Sequence, residues 1–163
     1  MQRLELVHQW LAGLFPGRPC AVAPASADAS FRRYFRATFD DGLTRIVMDA
    51  PPEHEDCRPF VRIAGLLRGA GVHAPEILAQ DLERGLLLLT DLGDTTYLDA
   101  LDDANADSLF RDALGALVKW QLASRPKTLP PYDEALLQRE LNLFPEWYVA
   151  RHLGTPLTPA QLE

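Results

Sequence analysis

The stretch PASADASFRRYFRATF, residues 24–39, joins two opposite textures. Small residues run from Ala25 through Ser26, Ala27, Asp28 and Ala29 to Ser30, and a block of aromatics and arginines follows. One possibility is a bend small enough for an anion to approach the backbone. The other is a surface hairpin whose arginines face solvent. Phe31, Phe35 and Phe39 share one parity, which predicts a strand over 31–39 with one buried side. Upstream, CAVAPAS (20–26) reads as a short strand running into the bend. Downstream, DDG (40–42) is a hairpin signal, and TRIVMDA (44–50) predicts a third strand closed by Pro51 and Pro52.

Outward from this hairpin the periodicity changes. Leu4, Val7, Leu11 and Leu14, with Trp10 beside them, predict a helix stopped by FPG at 15–17. Residues 55–68 predict a second helix with Phe60, Ile63, Ala64 and Leu67 on one face, ended by GAG at 69–71. PEILAQD (75–81) and GLLLLTD (85–91) predict two further strands around LERG. The LLLL run is short and flanked by Gly85 and Asp91, which favours a buried strand over a helix. After DLGD (91–94) only helices follow: a turn at 96–101, then an amphipathic helix beginning near Asn105 or Asp107 and carrying Leu109, Ala113, Leu117 and Trp120. Residues 125–131 connect to a helix over 133–143, and Pro145 suits the first turn of another. The expected class is α+β: a five-stranded, mostly antiparallel sheet with one crossing helix, then a helical region. The expected domains are 1–92 and 93–163.

Composition narrows the function. The chain has 163 residues, 47% hydrophobic and 24% charged, with a net charge of −7. An acidic balance argues against a generic nucleic-acid or membrane-surface binder. No apolar run approaches membrane-spanning length, and MQRLELVHQWLAGLF has charges inside its apolar pattern and no small-residue cleavage site. Cys20 and Cys57 are too few for a disulfide scaffold and have no zinc spacing. The cytoplasm is the expected compartment. Only Lys119 and Lys127 are lysines, so every cation in the sheet region is an arginine.

In this order, PASADASFRRYFRATF, VMDAPPEHED (47–56) and TDLGDTTYLDAL (90–101) resemble the aminoglycoside/choline phosphotransferase branch of the protein-kinase-like superfamily. Within it they look like bacterial cell-wall-recycling kinases that phosphorylate the anomeric hydroxyl of N-acetylmuramate and N-acetylglucosamine. The resemblance implies that the bend covers the phosphates of ATP, with Ser26, Asp28, Ser30, Arg32 and Arg33 as contacts. Glycines usually serve there, and this bend has none. It implies further that Thr90, Asp91, Leu92 and Gly93 form the hinge whose backbone bonds the adenine edge. Met48 stands at or beside the position where the family places a phosphate-binding lysine, so it either lines the adenine pocket or packs in the core. The glutamate partner is absent too, since the crossing helix has no acid after Asp56.

Two motifs mislead. Asp91-Leu92-Gly93 imitates a metal-binding D-F-G but follows no catalytic loop, and HED (54–56) imitates H-x-D yet sits where a helix begins. No H-x-D-x-x-x-x-N follows residue 93, so no catalytic residue is assigned and the Mg2+ ligands are expected outside this chain. The expectation is therefore the nucleotide-binding portion of a longer kinase, inactive alone. Glu140, Asn142 and Trp147 are the candidates for an amino-sugar acceptor, a solvated helix face being the alternative. The rival functions are an aminoglycoside- or choline-type kinase, and a non-catalytic nucleotide- or partner-binding module.

Overall fold

The computed structural model describes residues 2–27, 30–155 and 157–162. The chain forms two compact units, Met1–Ala123 and Ser124–Glu163.

The first unit holds α1 (Gln2–Leu14), β1 (Cys20–Ala27), β2 (Arg33–Phe39), β3 (Thr44–Asp49), α2 (Cys57–Gly69), β4 (Ile77–Asp81), β5 (Leu86–Thr90), α3 (Tyr97–Ala100) and α4 (Ala106–Ala123). The five strands make one sheet in the order β1-β2-β3-β5-β4, every neighbour antiparallel. The α+β expectation holds. β2 starts two residues later than its aromatic parity suggested. Phe31 lies outside it, 62% exposed and stacked on His54, while Phe35 and Phe39 are buried.

Each face of the sheet carries its own core. On one face, Val7 and Leu11 of α1 meet Phe35, Ala37, Phe39, Val47, Leu86 and Leu88. On the other, Met48, Leu87 and Leu89 pack with Cys57, Phe60 and Val61 of the α2 region and with Ile77. Alternation along β5 splits the LLLL run between the two cores, which is why all four leucines are buried. Asp56 caps α2, its carboxylate accepting the Arg58 N–H, and the Arg58 guanidinium, which bonds the same carboxylate, together with that N–H holds its pKa below the ordinary value. The HED segment is therefore helix-start chemistry, as its place suggested.

The second unit holds α5 (Glu134–Leu143), capped by Asp133, a π-helical segment Phe144–His152, and α6 (Pro159–Leu162). Pro145 has no N–H to donate to residue 141, and its ring crowds that carbonyl. A wider turn relieves both problems, which accounts for a π-helix in place of the ordinary helix expected.

Candidate nucleotide-binding face

The two faces of the sheet are not equally covered. β1 lends Cys20 and Val22 to the α1 core, whereas Ala21 and Ala23 are exposed. Cross-strand partners share a face, so the pairs Ala21↔Thr38, Ala23↔Arg36 and Tyr34↔Met48 place Ala21, Ala23, Tyr34 and Arg36 on the α2 side. There the α2 core takes in residues of β3, β5 and β4 and, at its margin, Tyr34 of β2, leaving most of the β1–β2 half of that face open.

A bulge supplies the polar group at its end. The pairing jumps from Pro24↔Phe35 to Ser26↔Tyr34, so Ala25 is the extra residue. Without it Ser26 would share the parity of Pro24 and point at the α1 core. With it Ser26 shares the open face with Tyr34. No glycine signals this bulge in the sequence.

The arginines separate by parity. Arg33 turns to the α1 side, where its guanidinium lies 5.9 Å from the Phe35 ring and pairs with Asp49. Asp49 is wholly buried and also accepts from Arg3 Nε at 3.0 Å. Arg33 is thus engaged on the face opposite the open one, away from where a phosphate contact was expected. Asp49 carries no sequence signal of its own, because its partners Arg3 and Arg33 lie 46 and 16 residues away. Met48 is itself wholly buried in the α2 core, the packing alternative of the two offered for it.

At the bend, Ser30 Oγ accepts from the Arg32 N–H at 3.2 Å and from Arg32 Nε at 3.1 Å. Glu55 accepts the Phe31 N–H at 3.3 Å and lies 3.9 Å from Arg32 Nε. The Phe31 ring stacks on His54 at 4.5 Å. The segment before α2 therefore clasps the bend. Asp28 falls outside the described residues.

The exit from β5 is tied to the same open face. Arg36 grips Asp91 with two hydrogen bonds, Nε to Oδ2 at 2.6 Å and Nη2 to Oδ1 at 3.1 Å. This partner holds the Asp91 carboxyl below its usual pKa, and Asp91 raises that of Arg36. Gly93 donates to Asp91 Oδ1 at 2.9 Å and has φ +92°, a conformation glycine adopts without strain. The Thr90 N–H is taken by the Glu76 carbonyl at 3.0 Å. Among the described residues, none hydrogen-bonds the Leu92 N–H or carbonyl. From Arg33 to Arg36 the strand advances about 10 Å. The bend and the exit thus lie at the two ends of one open strip of β2.

Other features fit less well. A cavity of about 520 Å³ is lined by Pro52–Arg58, Leu82 and Glu83, with no Ser26, Ser30, Arg36 or Asp91 among its walls. Its carboxylates Glu53, Glu55, Asp56 and Glu83 would repel a phosphate. Among the described residues no group of three or more His, Cys, Asp or Glu side chains is placed to hold a metal ion. In the second unit, Glu140 pairs with Arg139 at 3.1 Å, Asn142 accepts from Gln138 at 2.9 Å, and Trp147 lies under the Arg151 guanidinium at 3.9 Å. Asn142 is about 200° around the helix from Glu140, so the two do not share a helix face.

Residues 21–163 match the model of the phosphotransferase enzyme family. The chain belongs to that family. Curated relatives carry one name, N-acetylmuramate/N-acetylglucosamine kinase. The protein of Pseudomonas aeruginosa is 63% identical over 139 residues, covering 85% of this chain and 41% of the relative. That of Pseudomonas putida is 57% identical, covering 86% and 41%. That of Neisseria meningitidis serogroup B is 43% identical, covering 97% and 48%. The chain spans less than half the length of these relatives.

Proposed function

We propose that the chain is the nucleotide-binding portion of an ATP-dependent sugar kinase acting on the anomeric hydroxyl of N-acetylmuramate or N-acetylglucosamine, in the cytoplasm and in cell-wall recycling. The observation that carries this is the 43–63% identity to kinases of that name, through both the bend and the β5 exit. ATP would lie along the open β1–β2 face, with Ser26 and the Ser30–Arg32 bend at its phosphates and the Leu92 peptide groups at the purine edge. Residues 1–92 form the nucleotide lobe in this proposal, and 93–163 begin a helical lobe.

Bound ATP supplies the γ-phosphoryl group: the sugar O1 forms a bond to γ-phosphorus, the bond to the ADP oxygen breaks, and the hydroxyl proton goes to a base. This chain's own part is to bind and orient the nucleotide.

Isothermal titration with ATP, followed by displacement with ADP, tests the binding. Heat with ATP that ADP competes away supports it. Absence of both would remove the kinase reading and favour a binding module of another kind. In a full-length kinase carrying this chain, loss of the sugar's reducing end during ADP formation tests the acceptor, because phosphorylation at C1 blocks ring opening.

A further inference from the structure

Arg36 is more constrained than a solvent-facing strand arginine needs to be. Besides its two bonds to Asp91, its Nη2 donates to the Gly93 carbonyl at 3.1 Å, and Asp94 lies 3.8 Å from Nη1. The Asp91 side chain is 6% exposed, and its Oδ1 also takes the Gly93 N–H. Both polar backbone groups of Gly93 are therefore held by one ion pair, with Leu92 between its two ends. A planar fork makes this three-point grip; an ammonium cannot.

We propose that Arg36 is a positioning residue for the purine: by gripping Asp91 and Gly93 it holds the Leu92 peptide groups in the orientation that pairs with the base edge. This rests on the nucleotide-binding reading above. A direct phosphate role is disfavoured, because an incoming phosphate would have to displace a nearly buried carboxylate and face Asp94 as well. The position on β2, about 10 Å from the bend, puts Arg36 at the base end of the strip.

The test is a ligand series on the full chain with Arg36→Lys and Asp91→Asn. Adenosine, AMP, ADP and ATP each compete against a fluorescent ADP analogue, and circular dichroism reports folding. The expected result is that both variants bind all four ligands more weakly by one common factor, about tenfold. A loss that grows with phosphate number would overturn the proposal in favour of phosphate contact. So would a lower thermal midpoint with unchanged affinities, which marks a purely structural pair. Should one variant lose the native spectrum, the other carries the comparison. If the unmodified chain binds no adenine ligand, the nucleotide reading falls and this inference with it. If it binds and the variants match it, only the inference falls.

Discussion

Replacing Gly85 with alanine should test how tightly β5 approaches the end of β3. A Cβ at Gly85 would sit 1.9 Å from the Ala50 carbonyl oxygen, 2.9 Å from its carbon and 3.2 Å from Pro52 Cδ. The backbone there has φ +70°, and the Gly85 carbonyl accepts the Ala50 N–H at 2.8 Å. The left-handed conformation alone costs alanine about 1–2 kcal/mol. The backbone clash cannot be relieved by a side-chain rotation, so the strands must part and that hydrogen bond lengthens or breaks, at about 1–2 kcal/mol more. The sum, about 2–4 kcal/mol, corresponds to a fall in Tm of roughly 4–16 °C for a chain of this size. Gly42→Ala is the matched control: φ is +82°, and nothing lies within 4 Å of the added Cβ. It should show the conformational cost without the clash. Thermal unfolding followed by circular dichroism measures both. If Gly85→Ala costs no more than Gly42→Ala, the close approach at Ala50 is wrong.

Three other outcomes follow from the ion pairs. The Asp91 carboxyl titrates below its ordinary value in the fold, so the stability it lends is present at neutral pH and lost as pH falls through that lowered value. The stability gap between the wild type and Asp91→Asn, read by urea unfolding, should hold from about pH 7 to about pH 5 and close below about pH 4. Arg33→Met leaves Asp49 paired with Arg3 and should cost about 1 kcal/mol, whereas Arg3→Met with Arg33→Met strands a buried carboxylate and should cost about 3–5 kcal/mol, more than the single costs summed; Arg33→Met should leave ATP affinity unchanged, and a loss would return Arg33 to the nucleotide face. Glu55→Ala removes the acceptor of the Phe31 N–H, so limited proteolysis between residues 27 and 32 should speed up by about threefold, against no change if the clasp is incidental.

The elements were legible because each is amphipathic at its own period: 3.6 in α1 and α2, two in β2. The same parity rule was available for the arginines. Arg33 and Phe35 share a parity, Phe35 is an inward aromatic, and Arg36 is therefore on the other side. The bulge at Ala25 had no sequence signal, because alanine is compatible with either the regular or the bulged strand. The partners of Asp49 were out of reach for another reason. Arg3 lies 46 residues away, and only the packing of α1 over β3 brings the two together. At the β5 exit, T-D-L-G-D was enough to place a sharp departure but not to show that the Asp91 side chain would be claimed by β2.

The missing strand lysine and helix glutamate raise the question of what couples the bend to α2. The contacts of Glu55 supply an answer. Asp56 fixes the start of α2 by capping it, so the residue just before it is held in place, and from there Glu55 reaches the Phe31 N–H and Arg32 while His54 stacks on Phe31. The coupling thus comes from the flank of the helix and acts on the bend's backbone. It does not run from the middle of the helix to a strand side chain. Glu55 is partly exposed, at 20% of its side-chain surface, and Arg32 at 32%. Such a contact is worth about 1 kcal/mol or less, well below the cost of breaking a buried pair. A link that weak positions the bend without locking it. Under the nucleotide-binding proposal, that suits a segment lying at the phosphates, and bound ATP should slow cleavage of the bend in Glu55→Ala back toward the wild-type rate.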